Sequence, residues 1–110
     1  TSGSKQKTID VGDRRFVVEM VSFDNGIFVS ISEGSKKLGS MVVSIASGPA
    51  PTTATVIPAK TDSLFLKLMA ERISTQMKGI SIVSLFANKE LGNETAKILM
   101  SQIIELMKND

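Results

Sequence analysis

The sequence predicts an α+β fold: an antiparallel sheet of about six strands with two helices on one face, in the order β-β-β-β-β-α-β-α. Three observations carry this. A run from Phe16 to Phe23 and another from Ile27 to Ser32 flank Asp24-Asn25-Gly26, a strong hairpin signal because Asn and Gly tolerate positive φ. Leu66, Met69, Ile73 and Met77 then recur at helical spacing. A second helical period closes the chain, through Ala96, Leu99, Met100, Ile103 and Leu106 or Met107.

Taken in order, Ser4 to Val11 alternates weakly and ends at the turn signal Gly12-Asp13. It reads as an edge strand, with Lys5 and Lys7 as guards of that edge. With Asn25 and Gly26 as the central pair of the hairpin turn, Phe23 opposes Phe28 and Val21 opposes Ser30. Residues facing each other across a ladder share a side. One side then carries Phe16, Val18, Met20, Ile27, Val29 and Ile31, with Ser22 as the small polar member. The other carries Val17, Val21, Phe23 and Phe28, interrupted by Glu19, Ser30 and Ser32.

Glu33 to Lys37 is a polar loop, and Leu38-Gly39 leads into a fourth strand, Ser40 to Ala46. Ser47-Gly48-Pro49-Ala50-Pro51 is a breaker cluster too short to separate domains. Thr52 to Ile57 is β-branched and forms a fifth strand ending at Pro58. Thr61-Asp62-Ser63 offers N-caps to the first helix, and Gly79 suits its left-handed stop. Ile80 to Ala87 is a strand of buried type. Asn88 to Asn93 is a turn before the last helix.

The helices are expected to cover the Phe16/Val18/Met20 side. The other side is half apolar, and such exposed area more often marks a contact surface than an accident. A second sheet packed there at about 10 Å makes a sandwich across a dimer.

Composition narrows the function. The 110 residues, 42% apolar and 22% charged, suit a single domain, residues 1–110. There is no Cys, His, Trp or Tyr. Thiol nucleophiles, imidazole bases and the usual transition-metal ligands are therefore missing, and no cofactor or metal site is expected. The strand serines Ser22, Ser30, Ser32 and Ser44 read as small spacers. Asp62, Glu90 and Glu94 lie at helix starts, where the dipole favours negative charge. The eight glycines form no phosphate cradle. The net charge of +2 is spread along the chain with no basic block longer than two residues, a poor match to nucleic acid. No apolar run approaches a membrane span, and the opening residues lack a signal-peptide core. A soluble, intracellular, non-enzymatic protein is expected, in the cytoplasm and also the nucleus.

Three short stretches and the order of the closing elements resemble one family. Ser4-Lys5-Gln6-Lys7-Thr8, Lys37-Leu38-Gly39-Ser40-Met41-Val42, Thr53-Ala54-Thr55-Val56-Ile57 and the helix–strand–helix order to the end are similar to the proteasome assembly chaperone 3 family. The likeness lies in their order along nearly the whole chain. The chain departs from the family at Ser47 to Thr52, which is shorter, and at Ala59-Lys60-Thr61-Asp62, which replaces a Gly-containing lead-in.

The resemblance implies a non-catalytic, ATP-independent chaperone that promotes α-ring assembly of the 20S proteasome. It implies a dimer, with itself or with a related assembly chaperone 4-like subunit, that binds proteasome α-type subunits and leaves before the particle matures. Val17, Val21, Phe23 and Phe28 are then the expected dimer interface, and Lys36 and Lys37 the expected partner-contact loop. The alternative is a small homodimeric scaffold or adaptor of the trafficking type. Those folds usually begin with a helix, whereas here the first five elements read as strands.

Overall fold

The computed structural model describes residues 3–108. Its elements are β1 (Gly3–Val11), β2 (Arg14–Phe23), β3 (Gly26–Glu33), β4 (Ser40–Ile45), β5 (Thr52–Ile57), α1 (Ser63–Met77), β6 (Ile80–Phe86) and α2 (Gly92–Lys108). The six strands form one sheet in the order β1-β2-β3-β6-β4-β5. The sheet is mixed: β3 and β6 run parallel, and every other neighbour pair is antiparallel. β6 takes the inner place because Ser81, Val83, Ser84 and Leu85 are all buried, the near-continuous burial of a strand flanked on both sides.

Both helices pack on one face, α1 over β4 and β6 and α2 toward β1. Beneath them lie Phe16, Val18, Met20, Ile27, Val29, Ile31, Val42, Val83 and Leu85, against Phe65, Leu66, Met69, Ala70 and Ile73 of α1 and Leu99, Ile103 and Ile104 of α2. Each fully buried side chain of this size stabilises the fold by about 1.5–3 kcal/mol.

Three fully buried serines let α1 sit close to the sheet. Ser81 Oγ donates to the Ala70 carbonyl at 2.6 Å, and Ser74 Oγ donates to Ser44 Oγ at 3.0 Å. Larger side chains there would hold the helix off, and unpaired hydroxyls would be costly.

The hairpin turn departs from the expected register. Phe23 faces Gly26 and Val21 faces Phe28, so Asp24 and Asn25 make the turn. Neither has positive φ, so this is not the type I′ geometry that Asn-Gly favours. The reason lies in β6. Ile80 N–H donates to the Asn25 carbonyl at 3.0 Å. A Cβ on Gly26 would lie 2.8 Å from the Ile80 oxygen, and one on Gly79 would lie 2.5 Å from the Asn25 oxygen. Both glycines serve the close approach of two strands. The shift is two residues, so every side chain keeps its face.

The helix ends differ too. Lys78, with φ 55°, takes the left-handed stop expected of Gly79, and Gly79 N–H closes the cap on the Ser74 carbonyl at 3.1 Å. Asp62 is the N-cap residue of α1 but is left-handed and makes no side-chain cap. Its carboxylate accepts the Leu91 N–H instead, 3.3 Å from each oxygen, which ties the start of α1 to the lead-in of α2. β1 is an edge strand as expected, yet Lys5 and Lys7 reach over the helix face. Lys5 donates to the Leu106 carbonyl and Lys7 to Gln102 Oε1. Strand ends differ by a residue, with Ala46 and Ala87 outside β4 and β6.

One charged cluster fixes the β6–α2 turn. Arg14 makes a bidentate pair with Glu33, Nε to Oε2 at 3.0 Å and Nη2 to Oε1 at 2.6 Å, and both side chains are about nine-tenths buried. The guanidinium also donates to the carbonyls of Lys89 and Glu90, each at 3.1 Å. The Asn88 N–H donates to Glu33 Oε1 at 3.0 Å. The Arg14 hydrogen bond holds the Glu33 carboxyl below its usual range, against the opposing effect of burial.

Candidate functional site

The uncovered face of the sheet follows from the registers, because residues paired across neighbouring strands stand in rows. One row runs Val21, Phe28, Ile82, Val43, Ala54 from β2 to β5. The next, toward the hairpin turn, holds Phe23, Gly26, Ile80 and Ile45. No helix lies on them. Phe23 is 55% exposed and Ile45 41%, while Val21, Phe28, Ile80, Ile82 and Val43 are half-buried by their neighbours alone.

The other end of this face is covered. The loop between β3 and β4 must cross the end of β6, and it folds down onto two serines. Ser32 Oγ donates to the Lys37 carbonyl at 2.9 Å and accepts the Lys37 N–H at 3.2 Å. Gly39 N–H donates to Ser84 Oγ at 3.0 Å. A Cβ on Gly39 would lie 2.1 Å from the Leu85 oxygen, so only glycine lets the loop pass. Ser32 and Ser84 are thereby buried on a face that lacks helices.

Of the residues expected at an interface, Val21 and Phe28 are direct cross-strand neighbours in the apolar row, and Phe23 stands at its turn end. Val17 is separate: it pairs with Ser32, in the row of Phe86 at the loop end. Lys36 is exposed, with its Nζ 3.6 Å from Glu19 Oε2. Lys37 is exposed as well, with its Nζ 4.9 Å from the centre of the Phe86 ring.

Ile45, Val43, Ile80, Ile82 and Leu38 extend the surface beyond the residues the sequence singled out. The alternations Met41/Val43/Ile45 and Ile80/Ile82 are visible in the sequence, but only the insertion of β6 between β3 and β4 joins them to the hairpin. Leu38, 63% exposed, adds an apolar side chain from the loop. Arg14 and Glu33 lie on the helix side, while this face carries Glu19 beside Lys36 at the loop end and apolar area toward the hairpin turn.

No protein-family profile and no curated protein matches the chain by sequence. A solved fold does match. A chain in the crystal structure of a chaperone complex for yeast 20S proteasome assembly superimposes with a TM-score of 0.73 at 14% identity, over 98% of this chain and 96% of that one. Identity at that level speaks for fold alone. The bare apolar rows therefore lie on a fold shared with a chain of that complex.

Proposed function

We propose that this chain is a non-catalytic chaperone of 20S proteasome assembly that acts in the cytoplasm as a dimer, through its uncovered sheet face, and binds α-type subunits while the α-ring forms. The supporting observation is the continuous apolar row Val21, Phe28, Ile82, Val43 on a fold shared with a chain of a 20S assembly chaperone complex. Contiguous exposed apolar patches on soluble proteins often mark interaction surfaces. The partner that fits is a second sheet, from another copy or from a related assembly chaperone 4-like chain, because two apolar sheet faces bury each other in one layer. Val17 lies on the same face at the loop end and joins this interface at its margin, and Lys36 and Lys37 of the loop contact an α-type subunit.

Mass in solution, alone and with the candidate partner, tests the pairing. Val21→Asp and Phe28→Asp yield monomers or insoluble protein while far-UV dichroism keeps its α+β shape. A variant that stays dimeric removes this face as the interface. Capture from cell extract then separates the roles: α-ring precursors support the chaperone, and membrane-trafficking partners support the adaptor.

A further inference from the structure

The two edges of the sheet are built differently. β1 carries Lys5, Lys7 and Asp10 within its nine residues, and its two lysines reach α2. β5, at the other edge, carries no charge, and none occurs anywhere from Leu38 to Ala59. Five of its six residues are exposed, with Val56 at 54% and Ile57 at 43%. Alternate N–H and C=O groups of β5 point away from β4, and no described strand meets them. Natural edges are normally guarded by charge, a proline, a bulge or a cover. Here Pro51 and Pro58 flank the strand and the register slips between Met41 and Val42, but Thr52 to Val56 holds neither charge nor proline.

Beside this edge, on the helix side, runs a groove lined by Val42, Thr53, Thr55, Ile57, Leu64 and Lys67 among others. Leu64 is 66% exposed there. Among the described residues Lys67 makes no ion pair. This surface is distinct from the bare sheet face, and burying that face leaves it open.

We propose that β5 is a docking edge for an extended segment of a partner polypeptide. The segment adds as a seventh strand, sets apolar side chains at alternate positions into the β5–α1 groove, and brings one acidic group to Lys67. The unpaired backbone of the edge calls for an extended chain, since only a strand matches its repeat. The lone cation at the rim calls for the acid. A second copy pairing through its own β5 has no carboxylate on that strand, Thr52–Ile57, and the Glu71 beside it is already held by the Thr53 hydroxyl at 2.7 Å. This inference does not rest on the sheet-face dimer.

The test uses the intact chain and an amidated seven-residue peptide of alternating Thr and Val ending in Asp. Two companions are N-methylated at one or the other set of alternate backbone positions, and a third ends in Asn. Amide hydrogen exchange, followed residue by residue, is the readout. Exchange slows in β5 and not at Phe28 or Ile82, and one of the two N-methylated peptides loses the effect. The Asn peptide, and Lys67→Gln with the parent peptide, weaken binding several-fold. Val56→Lys, which copies the guard on β1, weakens it about tenfold with unchanged dichroism. Three results overturn the proposal: no β5 protection at millimolar peptide, protection that survives both N-methylations, or protection that rises with protein concentration alone. Protection confined to Val21 and Phe28 also overturns it, and belongs to the sheet face.

Discussion

The same two strands build both faces of this sheet, yet the faces have different fates. On one, Phe16, Val18, Met20, Val29 and Ile31 are at most 1% exposed beneath the helices. On the other, Val17, Val21 and Phe28 are only half-buried and Phe23 stands free. Alternation along β2 and β3 divides the side chains into two sets. One holds the domain together, and the other stays bare of helices. The polar groups divide in the same way. On the covered face Ser44, Ser74 and Ser81 are spaced so that α1 can approach. On the open face Ser32 and Ser84 anchor a loop that seals one end and leaves the apolar rows bare.

Equal truncations on the two faces break this distinction most directly. In urea melts at high dilution Phe16→Ala costs about 3–5 kcal/mol, whereas Phe28→Ala costs about 1 kcal/mol or less. Equal costs mean that the second face is not open. Next in size, Arg14→Met strands Glu33 in a nearly buried site and costs about 3 kcal/mol in the same melts.

The Glu33 carboxyl is held below 4.5, its reference value. Its contribution is therefore complete above about pH 4.5 and is lost as pH falls from there through the lower folded value. Glu33→Gln flattens the acid limb of stability against pH. Because the pair clamps the Lys89 and Glu90 carbonyls, acid frees the lead-in of α2 before it disturbs the open face, as amide shifts at Asn88 and Leu91 against Phe28 report.

Gly39→Ala pushes a methyl into the Leu85 carbonyl and costs about 1–3 kcal/mol, with loss of the Lys37–Phe86 ring shift. Lys37→Ala is smaller, at about 0.5–1 kcal/mol for a cation over an aromatic face. Lys36→Ala, at an exposed pair, stays below that.

The sequence was most readable where local chemistry alone decides. Thr52–Ile57, bounded by prolines, and the helical period through Ile73 appear where expected. The two faces of the hairpin also hold, because a two-residue slip preserves parity. What escaped reading was set by distant partners. Asn25-Gly26 carries a turn signal, yet Gly26 is needed by Ile80 and the turn moves back by one residue. Gly79 looks like a helix stop, but it must clear the Asn25 carbonyl, so Lys78 bears the left-handed strain. Arg14 and Glu33 lie nineteen residues apart, with nothing local to join them. The interface candidates Val21, Phe23 and Phe28 were legible as an apolar set, while Ile82, Val43 and Ile45 were not, since their neighbours depend on where β6 enters.

That late entry of β6 bears on how the molecule is made. A chain emerging from the ribosome presents β1 to β3 first, and these can pair at once as a meander. β4 and β5 follow and can pair with each other, but the place beside β3 belongs to β6, which is not yet synthesised, so the β4–β5 pair waits with no sheet to join. Closure of a parallel contact between distant segments is slow, and exposed apolar strands are prone to aggregate while they wait. A factor proposed to shepherd other subunits thus passes through an unprotected stage of its own, and it is the uncharged stretch from Leu38 to Ala59 that most needs shelter then.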